Sequence, residues 1–275
     1  MAEDGARLRE TLIAAEARAA EAEARAKTDA AQQARAAEQA AGHGDGVECI
    51  VTNALFGAKC DGVTDDTAAL QAAITGCTGV VALPDGKTCL SQGLALRNGT
   101  QLRIPGHSVL KAFPDPSKWD NRSLFLVHAG GTHGTAIFGG GTIDGSGNEW
   151  WKVAGGSRPH LFNNDAVHNY SIRDVRLINS GRGILGFGAP CSDVMVDNVT
   201  ILEPAIGNSD GIDVSCDGFL IQNSLVQNGD DSICMKSTAA GSAKNGLIRG
   251  CTVKNGKQLL PATKNYPGMA GGLVL

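Results

Sequence analysis

A short apolar block returns four times in the second half of the chain, and it restricts the available folds more than any other feature. Ile172-Arg173-Asp174-Val175-Arg176-Leu177 recurs as Val196-Asp197-Asn198-Val199-Thr200-Ile201, then as Ile221-Gln222-Asn223-Ser224-Leu225-Val226. The last copy is Ile248-Arg249-Gly250-Cys251-Thr252-Val253, and the spacings are 24, 25 and 27 residues. Units this short cannot bury an apolar face alone and must stack into a solenoid. A second strand series runs between them: Ile184-Leu185, Ile212-Asp213, Ile233-Cys234 and Leu273-Val274-Leu275. Asp174, Asn198 and Asn223 hold one position in successive copies, where side-chain amides can form a ladder. The 37 glycines fall mostly at turns between short strands. Helical periodicity is scarce after residue 75, which disfavours leucine-rich and helical repeats. The reading is an all-β chain folded as a right-handed parallel β-helix.

Two acidic clusters lie on this repeat, Asn208-Ser209-Asp210-Gly211-Ile212-Asp213 and Asn228-Gly229-Asp230-Asp231-Ser232. Asp and Asn beside Gly are common turn residues, so either cluster alone reads as a turn. Together, and in register with a repeating strand, they imply more. If Ile212 stacks on Ile233, Asp210 lies over Asp231, and neighbouring strands are roughly 4.8 Å apart. Asp210, Asp230 and Asp231 would then crowd one wall, where each negative charge opposes ionisation of the next. Such groups supply the acid and the base for splitting a glycosidic bond. Asp230 and Asp231 share the cleft only if a turn or bulge re-aims one of them, because adjacent strand residues face opposite ways.

Further pieces carry a resemblance: Phe56-Gly57-Ala58-Lys59-Cys60-Asp61-Gly62-Val63-Thr64-Asp65-Asp66-Thr67, Gly141-Thr142-Ile143-Asp144-Gly145 with Trp150-Trp151, Asn208-Ser209-Asp210, and Gly229-Asp230-Asp231. From about Val47 onward the chain resembles glycoside hydrolase family 28, the polygalacturonases of the pectin lyase-like superfamily. The first piece is shared by many β-helix proteins; the Asn-x-Asp and Gly-Asp-Asp pair is the specific one. The resemblance implies hydrolysis of α-1,4-linked galacturonan in pectin with inversion, and no metal or other cofactor. Asp230 would protonate the leaving oxygen, and Asp210 and Asp231 would hold and activate the water. An inverting pair leaves room for that water, with carboxyl groups about 6.5–9.5 Å apart. Asn208, Asp213 and Lys236 are the candidate substrate-binding residues, with Lys236 equally readable as an ordinary surface lysine.

The family pattern is not complete. Ala270-Gly271-Gly272 stands where the family carries Gly-His-Gly, after an insertion over 257–267, and its Arg-x-Lys motif is missing. Those basic groups are expected to grip the substrate carboxylate, which Arg does in bidentate fashion. The chain also stops at Leu275 inside an apolar strand, which reads as a β-helix cut short at its C-terminal end. A non-catalytic carbohydrate-binding, adhesin or tailspike-type β-helix and a decayed copy of the enzyme are the competing readings. Calcium-dependent lyase chemistry on Asp210, Asp213, Asp230 and Asp231 is a minor one. Arg182 and His160 read as surface or turn residues, and Trp150-Trp151 as packing beneath a loop. The six histidines show no metal-ligand spacing.

Thr64-Asp65-Asp66-Thr67 ahead of Ala68-Ala69-Leu70-Gln71-Ala72-Ala73-Ile74 reads as a capped helix, with threonine accepting the first amide bonds and Leu70 and Ile74 covering the solenoid's N-terminal end. Residues 3–41 are rich in Ala with Glu, Arg, Lys and Gln, and Leu8, Leu12 and Ile13 are their few large apolar residues. Residues 1–46 therefore read as a solvated helical stalk and linker without a sustained coiled-coil seam, followed by a β-helix domain over 47–275. No secretory apolar region or transmembrane-length stretch occurs in the sequence. Even so, a pectin-acting protein is expected outside the cell. Eight cysteines suit a disulfide-bearing extracellular chain, with 105 pairings open. Of four glycosylation sequons, at Asn98, Asn121, Asn169 and Asn198, the last is expected inside the stack. A net charge of −4 offers no basic patch for nucleic acid and would repel a polyuronate at long range. No membrane partner is expected, and oligomeric state is not legible.

Overall fold

The computed structural model describes residues 47–115, 117, 119, 125–151, 158–203, 207–255 and 273–274. The stalk at 1–46, the sequon at Asn121 and the Gly271 position lie outside them. Among the described residues every coil contributes parallel strands to two eight-stranded sheets, and a third face is built from a three-stranded and a four-stranded sheet. This is the right-handed parallel β-helix expected from the repeat.

The register explains why the repeat has the residues it does. Ile137, Ile172, Val196 and Ile221 are consecutive partners in the first sheet, and all are at most 1% exposed. Leu110, Ile143, Leu177, Ile201 and Val226 form the equivalent file in the second sheet, each fully buried. Like therefore stacks on like, and each coil covers the apolar face that its neighbour cannot cover alone. On the third face the file is Leu185, Ile212, Ile233 and Leu273. Leu185 rather than Ile184 thus holds the register position of Ile212.

The corner between the first two strands of each coil carries Asp174, Asn198 and Asn223. Their φ values are +55°, +52° and +52°, and Gly250 follows at +60°. This left-handed conformation is one that Asn, Asp and Gly tolerate better than other residues, and it accounts for the position more fully than a ladder does. Asn198 Nδ2 donates to Asp174 Oδ1 at 2.9 Å, but Asn223 Nδ2 turns to Asp197 Oδ1. The expected continuous amide ladder is therefore broken after one rung. Asn198 is exposed at this corner instead of enclosed in the stack.

The N-terminal helix spans Thr67–Gly76 and buries Leu70, Ala73 and Ile74. Its cap differs from the expected one. Asp65 Oδ1, not a threonine, accepts the Thr67 N–H at 3.0 Å, and Asp66 turns back to accept from the Lys59 and Cys60 amides. The carboxylates outcompete the hydroxyls for these donors because charge-assisted bonds are stronger.

Three disulfides join residues about one coil apart: Cys49–Cys77, Cys60–Cys89 and Cys191–Cys216, while Cys234 and Cys251 are free. The Cys191–Cys216 bridge closes a 25-residue separation, for which chain-entropy loss in the unfolded state contributes about 3.5 kcal/mol. Replacing both cysteines with serine is expected to lower Tm by roughly 7–14 °C in calorimetry under oxidising conditions, with the difference from the parent shrinking once reductant opens the parent's bridge.

Candidate active site

Two successive coils leave the second sheet at strands Thr200–Leu202 and Leu225–Asn228 and enter the third face at Ile212–Val214 and Ile233–Met235. The pairing of Ile212 with Ile233 fixes the turns before them. Gly211 donates its N–H to the Asp231 carbonyl at 2.8 Å, so Asp210 does lie beside Asp231. The approach is close: a Cβ on Gly211 would sit 2.4 Å from both Ser232 O and Val226 Cγ1. Only glycine lets the Asp210 turn settle on the coil beneath it.

Asp230 and Asp231 precede the strand and belong to a turn, so strand alternation does not separate them. Asp230 is held at both oxygens: Oδ1 accepts the Asp231 N–H at 3.0 Å and Oδ2 accepts the Asn208 N–H at 2.8 Å. One oxygen from each of Asp210, Asp230 and Asp231 lies within 4.8 Å of the other two, and all three residues are half-buried. The nearest oxygens of the trio are thus close together. The physical reason is the stacking itself, since side chains from adjacent coils start only about one strand spacing apart.

The pivot of this arrangement is Asn228, which is fully buried. Its Nδ2 donates to three carbonyls, those of Ser209 at 2.8 Å, Asp230 at 3.0 Å and Asp231 at 2.9 Å. Its Oδ1 accepts the Ser232 hydroxyl at 2.6 Å, and Ser209 Oγ accepts the Gly229 N–H at 3.1 Å. One amide therefore ties the turn carrying Asp210 to the turn carrying Asp230 and Asp231. In the sequence it is marked only as the first member of the Asn228–Ser232 cluster.

Burial, reinforced by the charges of Asp213 and Asp230, pushes the Asp210 carboxyl up to about 6. Burial also raises Asp213, against the hydrogen bond and charge of Lys236. Lys236 Nζ donates to Asp213 Oδ2 at 2.6 Å. Burial alone would lower the Lys236 ammonium; the Asp213 bond and the charges of Asp213 and Asp210 outweigh it and raise it. Lys236 is thus a bound partner of Asp213. Of the three expected substrate-binding residues, Asn208 anchors Asp230 through its backbone, and Asp213 and Lys236 are engaged with each other. Cys234 pairs in register with Asp213, and burial followed by the Asp213 charge holds its thiol up, which disfavours the reactive thiolate.

One coil earlier the position equivalent to Asn228 is Glu203, since Glu203 N donates to Gln227 O. Glu203 is 4% exposed, and its Oε1 accepts the Ser180 N–H at 2.6 Å. Trp151 Nε1 donates to Ser180 O at 3.1 Å, and Trp119 meets Trp150 edge-on at 5.3 Å. The tryptophans do pack beneath a loop. Burial pushes Glu203 well above the usual carboxylate range, opposed by the Ser180 bond and aided by the Asp144 charge. A carboxyl raised in the folded state costs stability as pH climbs from its unfolded value, about 4.3, through its folded one. Glu203→Gln is therefore expected to leave Tm unchanged at pH 4 and to raise it relative to the parent above pH 7, as read from thermal melts across that range.

A family model for glycosyl hydrolases family 28 matches residues 77–258. The chain belongs to that family. It is 29% identical over 214 residues to a polygalacturonase of Chamaecyparis obtusa, covering 71% of this chain and 41% of the relative. The solved polygalacturonase of Erwinia carotovora superposes with a TM-score of 0.65 at 25% identity, covering 70% of this chain and 61% of that one. PfbA, a surface adhesin of Streptococcus pneumoniae, shares the fold with a TM-score of 0.58 at 21% identity, covering 76% and 56%. The chain spans about half the length, or less, of curated relatives it matches, between 39% and 50% for polygalacturonases such as those of Juniperus ashei and Cochliobolus carbonum. Among the described residues no helix is long and apolar enough to cross a membrane.

Proposed function

We propose that this family 28 protein hydrolyses α-1,4-linked galacturonan, the polyuronate backbone of pectin, outside the cell and without a cofactor. The observation that carries the reading is the trio of half-buried carboxylates from two stacked turns, each with an oxygen within 4.8 Å of the others. Asp230, fixed by two backbone N–H groups, gives a proton to the glycosidic oxygen as its bond to the anomeric carbon breaks. Asp210 and Asp231 hold a water and take its proton as its oxygen bonds that carbon from the opposite face, inverting it. Lys236 neutralises Asp213 at the edge of the trio and keeps that carboxylate from crowding the reacting charges. Three disulfides suit an oxidising, extracellular setting.

Product chemistry tests this directly. Polygalacturonate treated with the protein is expected to yield saturated reducing ends at a rate unaffected by a metal chelator. Unsaturated ends that vanish with chelator would establish lyase chemistry instead, and tight binding without any new ends would favour a non-catalytic carbohydrate-binding role. The ionised form of Asp210 is the one that activates water, so the rate is expected to rise with pH through about 6. Asp213→Asn removes a charge that raises Asp210 and frees Lys236 to lower it, so this limb is expected to move to lower pH in a kcat/KM profile.

A further inference from the structure

The histidines show no metal-ligand spacing along the chain, but stacking makes two of them neighbours. His133 and His168 are 35 residues apart and form a parallel bridge between successive coils. His168 donates its N–H to Thr132 O at 2.9 Å, and Gly134 donates its N–H to His168 O at 3.0 Å. These two bonds straddle His133, so the two residues are in register and their side chains leave the same face of the wall. Both are exposed, and strands at this spacing lie about 4.8 Å apart. The backbone beneath His133 is held as well: Asn98 Oδ1 accepts its N–H at 3.1 Å, and Gly99 donates to its carbonyl at 2.8 Å.

The same file continues from His168 through Ser192, Asp217 and Lys244, one residue from each coil. Its side chains reach from coil to coil: Lys244 Nζ stands 3.2 Å from Asp217 Oδ2, and His168 Nδ1 stands 3.0 Å from Ser192 Oγ. The second contact sets the state of the ring. The Ser192 hydroxyl has one proton, and it goes to Asp193 Oδ2 at 2.9 Å. Toward His168 it can only accept, which places the proton on Nδ1 and leaves the lone pair on Nε2. A ring held in one tautomer through its other nitrogen is how a histidine is prepared to bind a metal ion. Among the described residues no hydrogen bond engages the ring of His133, so both rings have a nitrogen to offer.

We propose that His133 and His168 form a two-imidazole site for a divalent transition-metal ion of the zinc type, with Ser192 and Asp193 as its outer partners. Imidazole suits zinc, copper and nickel, and water completes the coordination. His168 opens the strand His168–Arg173 of the first sheet, whereas the trio sits on turns that lead into the third face. The ion is therefore a clamp between two coils and takes no part in hydrolysis. The site stands whether or not the trio is catalytic.

Calorimetry with Zn²⁺ on the full chain, at neutral pH in a buffer that does not chelate, tests it. Loss of an outer partner costs about 10–100-fold in metal affinity, and loss of a ligand costs more. His133→Gln and His168→Gln are each expected to raise Kd by about 100-fold or more, and Ser192→Ala by about tenfold. The double variant is expected to bind no more weakly than either single one, because one imidazole does not hold the ion alone. His107→Gln, at an exposed histidine elsewhere, is expected to change nothing. Zn²⁺ should raise Tm of the parent and not of the double variant. Independent, additive losses from the two substitutions would mean two separate surface histidines, and the shared site would be wrong. A parent that binds no ion, or binding that survives in the double variant and is lost with Asp230→Asn, would also overturn it, the latter by placing the ion on the trio.

Discussion

Asp230→Asn is expected to lower kcat on polygalacturonate by about 10²–10⁴-fold, the usual contribution of a positioned general acid. The substitution keeps the shape of the side chain and removes the transferable proton. One structural side effect follows from the geometry. Both Asp230 oxygens accept backbone N–H groups, from Asp231 and Asn208, and an asparagine must present its NH₂ to one of those donors. A stability loss of about 1–3 kcal/mol accompanies the activity loss, far too small to unfold the protein under assay conditions. Initial rates of reducing-end release, measured beside a thermal melt, separate the two effects. Activity within threefold of the parent would remove Asp230 from the acid's role.

The second large effect is expected at Asn228, where chemistry and stability meet. Asn228→Ala deletes three donated hydrogen bonds and one accepted bond at a fully buried position. At about 1 kcal/mol for each neutral bond, with carbonyls left without donors, the loss amounts to about 3–5 kcal/mol in denaturant unfolding. Because this amide joins the Asp210 turn to the Asp230–Asp231 turn, kcat should fall steeply even where the variant is folded. Asn228→Asp provides the control: it can still accept from Ser232 but cannot donate to the three carbonyls, and it buries a charge. If it behaves like the parent, the donated bonds are not what positions the acids.

Much of this protein was legible because stacking turns sequence period into spatial neighbourhood. Ile172, Val196 and Ile221 announced their own register, and from Ile212 and Ile233 the meeting of Asp210 with Asp231 followed. What escaped has identifiable causes. The six-residue repeat ends at Leu177, Ile201, Val226 and Val253, and two residues further on stand Asn179, Glu203, Asn228 and Asn255. Asn228 and Asn255 are register partners, and Asn179 Nδ2 reaches Asp144 as Glu203 and Asn228 reach Ser180 and Ser209, each on the coil before. A polar residue recurring at the end of an apolar repeat was the available signal. Lys236 was ambiguous for a different reason: whether a lysine meets substrate or a neighbouring carboxylate depends on rotamer and cross-coil register, and the pairing of Asp213 with Cys234 placed it beside Asp213. His160 is half-buried and not the surface residue expected, because the exposure of a residue on one coil depends on the coils packed against it.

The most direct test of the central claim is the anomeric configuration of the first product, followed by proton NMR in the initial seconds of oligogalacturonide cleavage. A water held by Asp210 and Asp231 opposite the acid attacks once, so the α-linked substrate is expected to release a β-anomer that then mutarotates. First appearance of the α-anomer would mean that one of these closely spaced carboxylates attacks the sugar itself and forms a covalent intermediate, and the water-holding role assigned to Asp210 and Asp231 would be wrong.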